Sequence, residues 1–322
     1  MKSFSPSHYI FAIGFALLSG VAVASLFWYA TTFAVERIVS NESGNQISEN
    51  EQSDENENTL RRGISATVID QGMLEQIHKS LPHTFTSNVN AKSYIVAELG
   101  GRTLSAQNSA RVLPIASVTK IVTAYVALDL YEKTEKIKVT SDALAAYGTT
   151  GRLRAGESLL LNDLLHALLL ESSNDSAEVI ARSYGRNSFL ARMNDAAKKM
   201  GATHTYFDDP SGLSPKNVST AEDLANIASY IYSRKREIFD ITKVKTYRSG
   251  RHIWNNPNVL LSLSNFIGGK NGFTDEAQKT GVALFSVKNG LFGEKKIAIV
   301  LLGTNEREQD ISKLLRAVEE NN

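Results

Sequence analysis

Pro114-Ile115-Ala116-Ser117-Val118-Thr119-Lys120 sets a serine and a lysine three positions apart at the head of an apolar run: Ile121, Val122, Ala124, Tyr125, Val126 and Leu128. Apolar residues at that spacing predict a buried helix. A separation of three brings Ser117 and Lys120 to neighbouring positions on one turn. Upstream, Lys92–Leu99 reads as a strand, Gly100-Gly101 as a hairpin turn and Arg102–Ala106 as the return strand. Downstream, helical patterns dominate from Asp142 to about Arg234, with apolar runs at Leu159–Leu170, Ala177–Tyr184 and Ala221–Tyr232. Strands return at Thr280–Val287 and Lys296–Leu302 across a turn at Gly293, and Ile311–Val318 reads as a closing helix. Strands at both ends with a helical block inserted between them predict an α+β architecture.

Composition narrows the chemistry. The 322-residue chain has no cysteine, which excludes disulfides, Cys-ligated zinc, iron–sulfur clusters and thiol nucleophiles. Its 35 basic residues are matched by 34 acidic ones, a balance that argues against a nucleic-acid partner. The six histidines (His8, His78, His83, His166, His204, His252) form no H-x-x-x-H pair, so a metal site has no ligand cluster and no metal or other cofactor is expected. His166, inside the apolar 159–170 run, reads as a hydrogen-bonded core residue. There is no G-x-S-x-G elbow. What remains is Ser117, head of the only S-x-x-K in the chain. A lysine amine takes a serine's proton when burial and neighbours lower its pKa. A serine at a helix N-terminus also has backbone N–H groups nearby for a developing oxyanion. In isolation the same four residues more often describe a helix cap followed by a surface lysine.

Companion motifs change that weight. S-x-N occurs at Ser43–Asn45, Ser48–Asn50 and Ser172–Asn174, and only the last sits in a break between helical runs. K-x-G occurs at Lys270, Lys279 and Lys288, and spacing does not choose among them. S-x-x-K, a serine-containing S-D-N-type element and K-T-G together form the set shared by penicillin-binding proteins and class A β-lactamases. The surroundings are more specific: Glu171-Ser172-Ser173-Asn174-Asp175-Ser176-Ala177, Asp209-Pro210-Ser211-Gly212-Leu213-Ser214-Pro215, and Gly268-Gly269-Lys270-Asn271-Gly272-Phe273-Thr274-Asp275-Glu276-Ala277. With the Ser117 stretch, they resemble the D-alanyl-D-alanine carboxypeptidase family of low-molecular-mass penicillin-binding proteins, in the family's motif order over roughly residues 90–305. In that family the third motif is G-x-K-T-G, an aromatic or His, then T-D-E-A. This selects Lys270 and leaves Lys279-Thr280-Gly281 as a decoy at the start of the next strand. Asn271 departs from the pattern, standing where the family usually has Thr.

The resemblance implies a penicillin-binding-protein/β-lactamase-like transpeptidase fold: an antiparallel sheet flanked by helices, plus a helical lobe. It implies a penicillin-sensitive serine D-alanyl-D-alanine carboxypeptidase acting on peptidoglycan stem peptides through an acyl-enzyme, with β-lactams as covalent inhibitors. Ser117 is then the nucleophile, Lys120 the general base and Ser172 the proton relay to the leaving amine. Asn174 binds the substrate amide and Lys270 supplies positive potential. Asn271 meets the terminal carboxylate in place of Thr, Gly272 permits close backbone approach, and Phe273 shares the oxyanion hole with Ser117, with Thr274 completing the binding strand. A class A β-lactamase is disfavoured because no E-x-x-L-N stretch follows Ser172. Two alternatives stay open: a DD-endopeptidase with the same machinery, and a catalytically idle wall-binding protein.

The first 62 residues point to a location. Ser3–Val35 carries no charged side chain, and Tyr9–Ala30 is almost wholly apolar, long enough for the roughly 30 Å hydrocarbon core of a bilayer. Phe27, Trp28 and Tyr29 suit an interfacial aromatic belt. A cleaved signal peptide with Ala22-Val23-Ala24 as its site is the competing reading, against which the apolar run continues past the cut. Asn41–Asn58 carries six acidic residues and no basic one, the composition of a solvated tether. Taking those six from 34 leaves 28 acidic against 35 basic residues elsewhere, a surplus of seven. The expected organisation is a cytoplasmic N-terminus at 1–8, one transmembrane signal anchor at 9–35 and an acidic tether at 36–62. A catalytic domain at 63–322 follows, outside the cytoplasm and held at the cell membrane.

Overall fold

A computed structural model describes residues 88–145, 151–289 and 293–321. The expected membrane anchor and acidic tether lie outside the described residues. Among the described residues no helix is long and apolar enough to cross a membrane.

In chain order, the elements begin with the hairpin β1 (Ser93–Glu98) and β2 (Thr103–Gln107), the short β3 (Leu113–Pro114), a 3₁₀ turn (Ala116–Thr119) and α1 (Lys120–Leu130). Next come β4 (Lys136–Lys138), β5 (Ser158–Leu160), α2 (Leu161–Leu170), α3 (Asn174–Tyr184) and α4 (Arg186–Lys199). They are followed by β6 (Val218–Ser219), α5 (Ala221–Arg234), α6 (Glu237–Ile241), β7 (Thr246–Ser249) and β8 (His252–Asn255). Last are β9 (Phe266–Thr274), β10 (Gln278–Lys288), β11 (Glu294–Thr304) and α7 (Arg307–Glu320).

Five strands form one antiparallel sheet in the order β2-β1-β11-β10-β9. Alternation assigns its faces. Ile95 and Ala97 of β1 and Ala298, Val300 and Leu302 of β11 join the core of the helical lobe. Tyr94, Val96, Ile297, Ile299 and Leu301 face the other way, onto α7. Both faces are covered, so β11 reads as an unbroken apolar run. The spacing of Ile311, Leu314, Leu315 and Val318 gives α7 a single apolar stripe, and that stripe lies on the sheet. Inside the lobe α2 is buried nearly all round, and α1 is buried from Lys120 to Ala127, so these two helices form its centre. The architecture is the expected α+β arrangement of antiparallel sheet, flanking helices and helical lobe.

Two boundaries and one helix without a named apolar run set the structure apart from the sequence reading. Ser117 sits in a 3₁₀ turn ahead of α1, because Ala116 takes a left-handed conformation (φ 49°) and the Val118 N–H turns back to the Ile115 carbonyl. Ser158–Leu160 pairs with Lys136–Lys138 as strand, so α2 starts at Leu161. The helix α4 buries Phe189, Met193, Ala196 and Ala197, an i, i+4, i+7, i+8 stripe thinned by intervening Arg, Asn and Lys.

Candidate active site

The 3₁₀ turn is pinned from several sides. The Ile115 N–H donates to the Asn217 carbonyl at 3.0 Å, and the Asn217 amide donates to Thr119 Oγ1 at 3.0 Å. From β10, Thr280 Oγ1 donates to the Ile115 carbonyl at 2.9 Å. Two glycines let backbone close on the turn: a Cβ on Gly212 would lie 1.9 Å from the Ala116 oxygen, and one on Gly272 would lie 2.9 Å from the Ser117 nitrogen. Strand β9, the sheet edge, therefore runs directly against Ser117.

Lys120 is wholly buried. Its Nζ lies 2.9 Å from Ser117 Oγ, 2.8 Å from Asn174 Oδ1 and 2.5 Å from the Ser211 carbonyl oxygen. Burial pushes the Lys120 pKa well below its ordinary value; the Lys270 charge lowers it further and Asp209 opposes the shift. In the neutral amine two N–H groups satisfy Asn174 and Ser211, which leaves the lone pair for the Ser117 hydroxyl, now the donor. That is the geometry of a base on its nucleophile.

Ser172 occupies a left-handed conformation (φ 61°) at the break between α2 and α3. Lys270 Nζ donates to Ser172 Oγ at 3.0 Å and to the Asn271 carbonyl at 2.8 Å. Burial first, and the Arg307 guanidinium second, push the Lys270 pKa down to about 7. Ser117, Ser172, Asn174, Lys270, Asn271, Gly272 and Phe273 all line one open cleft of about 420 Å³. Phe273 stands at its rim, 62% exposed. Asn271 Oδ1 is buried with no hydrogen-bond partner among the described residues. Two expected site residues do not line the cleft: Lys120 lies buried behind Ser117, in contact with its hydroxyl, and Thr274 is turned to the end of β9, where its Oγ1 accepts from the Ala277 N–H.

Several contributors lie outside the expected site residues. Arg307, the first residue of α7, lines the cleft and donates through Nη1 to the Gly272 and Thr280 carbonyls at 3.1 and 3.2 Å. Asp209 Oδ1 accepts from the Ser211 N–H, Ser211 Oγ and the Gly212 N–H, shaping the turn that sets the Ser211 carbonyl on Lys120. Thr280, in the K-T-G that reads as a decoy, is a clamp on the 3₁₀ turn. His166 is a core residue as expected, its Nδ1 2.7 Å from the Asn162 oxygen and its ring stacked on Tyr247 at 3.6 Å. Among the described residues no group of His, Asp and Glu is arranged to hold a metal.

The chain is similar to known proteins over the same region. A family model described as D-alanyl-D-alanine carboxypeptidase matches residues 78–304. A D-alanyl-D-alanine endopeptidase of Pseudomonas aeruginosa is 33% identical over 194 residues, which span 55% of this chain and 61% of that protein. A D-alanyl-D-alanine carboxypeptidase of Escherichia coli is 30% identical over 235 residues, 67% of this chain and 57% of that one. The chain spans between 50% and 64% of the length of the endopeptidases it matches. Among solved structures, a penicillin-binding protein of Listeria monocytogenes with cefotaxime bound superposes with a TM-score of 0.64 at 29% identity, over 72% of this chain and 98% of that one. A D-alanyl-D-alanine carboxypeptidase of Mycobacterium tuberculosis gives 0.63 at 29% identity over 69% and 86%. The motif order, the Ser117–Lys120 pair beside the edge strand and the match across residues 78–304 agree: the chain belongs to the D-alanyl-D-alanine carboxypeptidase family.

Proposed function

We propose that this protein is a serine D-alanyl-D-alanine carboxypeptidase that trims peptidoglycan stem peptides. The observation that carries the reading is the buried Lys120 amine 2.9 Å from Ser117 Oγ, in a cleft whose wall is an edge strand. A peptide ending in D-Ala-D-Ala lies along β9 as an added strand. Ser117 Oγ attacks the carbonyl carbon of the penultimate residue while its proton passes to Lys120 Nζ. The oxyanion is met by the N–H groups of Ser117 and Phe273. As the C–N bond breaks, Ser172 delivers a proton to the departing D-Ala amine, and the proton held on Lys120 restores the relay. Water then cleaves the acyl-Ser117 ester. Asn174 orients the substrate amide, while Lys270, Asn271 and Arg307 face its terminal carboxylate. Penicillin, whose lactam carbonyl mimics the scissile amide, acylates the same oxygen.

A second reading is favoured by one observation: relatives 31–37% identical to this chain are named D-alanyl-D-alanine endopeptidases. The same acyl transfer opens a cross-link when the leaving amine belongs to a second stem peptide. Chromatography of muropeptides after incubation separates the two. Conversion of monomeric pentapeptides to tetrapeptides supports the carboxypeptidase, and loss of dimers supports the endopeptidase. Fluorescent penicillin should label the protein and not Ser117→Ala; label on that variant, or peptide hydrolysis by it, refutes the assignment. We also place the protein at the cell membrane, the 9–35 run as its anchor and the catalytic domain outside, where newly made wall supplies substrate. Fractionation with protease protection of the N-terminus tests this.

A further inference from the structure

Leu213 lines the catalytic cleft and also a second cleft of about 510 Å³. One wall of this second cleft comes from α3 and the start of α4. There Glu178, 4% exposed, holds two arginines by the same edge: Arg182 Nε donates to its Oε2 at 3.0 Å, and Arg186 Nε reaches Oε1 and Oε2 at 3.2 and 3.1 Å. Arg182 spends Nη1 on Asp142. With Nε fixed on Glu178, Arg186 is left with the Nη1–Nη2 edge of its fork, for which no acceptor occurs among the described residues. Arg182 is shared between Glu178 and Asp142, so the wall is neutral in sum, and what it presents to the cleft is the remaining pair of Arg186 N–H donors, a fork suited to a carboxylate.

The other wall is the loop carrying Asp208 and Asp209. Asp209 is committed to its turn: Oδ1 takes three donors and Oδ2 takes the Ser214 N–H. Asp208 spends Oδ2 on the Ser214 hydroxyl, and its Oδ1 has no donor among the described residues. The cleft thus offers a donor fork on one side and an acceptor carboxylate on the other, the complement of an α-amino-acid head group.

We propose that this cleft is a subsite for the zwitterionic side-chain terminus of a diaminodicarboxylic acid residue in the stem peptide, seated as the acylating strand passes over Leu213. The inference rests on the D-Ala peptidase reading and names the class of stem peptide that the cleft selects. A stem with lysine at that residue offers the ammonium but no carboxylate, and so leaves the arginine fork empty.

The test measures equilibrium binding to the full chain carrying Ser117→Ala, in detergent, so that turnover plays no part. Two stem pentapeptides are compared, identical but for a diaminodicarboxylic acid or a lysine residue. The zwitterionic peptide should bind about fivefold to tenfold tighter, the scale of one charge-assisted contact at a partly exposed site. Arg186→Gln should bring that ratio close to one. Amidating the side-chain carboxylate of the peptide should do the same on the unaltered arginine, a readout independent of how the variant folds. Equal affinity for the two peptides, or an Arg186→Gln effect that is the same for both, overturns the subsite. Hydrolysis of either peptide by the protein with Ser117 intact is scored separately and bears on the peptidase reading alone.

Discussion

Lys120 and Lys270 are two buried amines whose charges disfavour one another, and the proposed chemistry asks opposite things of them. The base on Ser117 must be neutral, while the group behind Ser172 acts through its charge. The apparent pKa values of any rate profile then belong to the pair. With the Lys270 pKa down to about 7, penicillin acylation should decline as pH rises through that value. Stability should move the other way. The folded state releases this proton at about 7 and the unfolded chain holds it to the ordinary lysine value, so urea resistance rises with pH across that window. Loss of labelling together with loss of stability would refute the assignment to Lys270. Removing the guanidinium with Arg307→Gln should move the alkaline limb up by about one unit, the scale of one nearby charge. Asn271 makes a second residue-scale case. Its Oδ1 is buried without a partner among the described residues, and an orphaned acceptor costs about 1–3 kcal/mol. Asn271→Thr, which removes that amide and adds strand preference, should raise the unfolding free energy by about 1 kcal/mol, read as a higher urea midpoint at unchanged slope. An unchanged or lowered midpoint would mean that water or a substrate group satisfies the amide.

At the scale of elements, the site is a meeting of the 3₁₀ turn with the edge strand β9, and Gly272 sets their separation. A Cβ there would stand 2.5 Å from Thr280 Oγ1, 2.9 Å from the Ser117 nitrogen and 3.0 Å from the Ile115 oxygen. Neither backbone can yield easily, since Thr280 and Asn217 clamp the turn while β10 and Arg307 hold the strand. Gly272→Ala should therefore cost about 1–3 kcal/mol of stability by overpacking. It should also slow penicillin acylation at least tenfold, as misplacement by a fraction of an ångström disturbs both nucleophile and oxyanion donors. Labelling at the rate of the unaltered protein would show that β9 does not border the reacting carbonyl. This junction also marks how far the sequence could be read. Ser117 and Lys120 stand three positions apart, and Ser172 and Asn174 two apart at the start of α3, so spacing marked them as candidates and their surroundings chose them. The helices α1, α2 and α5 were legible from apolar periodicity, and β11 from its apolar run. Strand β9 is glycine-rich with weak strand preference, and only the family resemblance marked it. Arg307 reaches Gly272 across the sheet, 35 residues on. Asp209 acts on Lys120 through the Ser211 carbonyl, 91 residues away. The family resemblance marked the Asp209–Pro215 loop but not its contact with Lys120, because contacts of that kind are made by strand pairing and helix packing.

At the scale of the molecule, residues Asp70–Asn322 form one compact unit, and every residue given a role in the proposed chemistry belongs to it. Both apolar clusters, on either face of the sheet, are built from residues between Val89 and Val318. A unit with its own core and its complete site should fold and react without the preceding chain. The amino-terminal 62 residues bring an apolar run and an acidic stretch, features suited to placement and not to catalysis. Deleting residues 1–62 should consequently move the protein from the membrane fraction to the soluble one. It should leave the rate of penicillin labelling within about twofold of the full chain in detergent, the expectation for distant, independent regions. Two measurements together decide the matter: sedimentation of the truncated protein in the absence of detergent, and labelling rate set beside a thermal melt. Persistence in the membrane fraction would assign the anchor to the catalytic unit itself. A cooperative melt accompanied by lost labelling would mean that residues before Gly63 complete the site, and the division between a placing segment and a reacting one would fail.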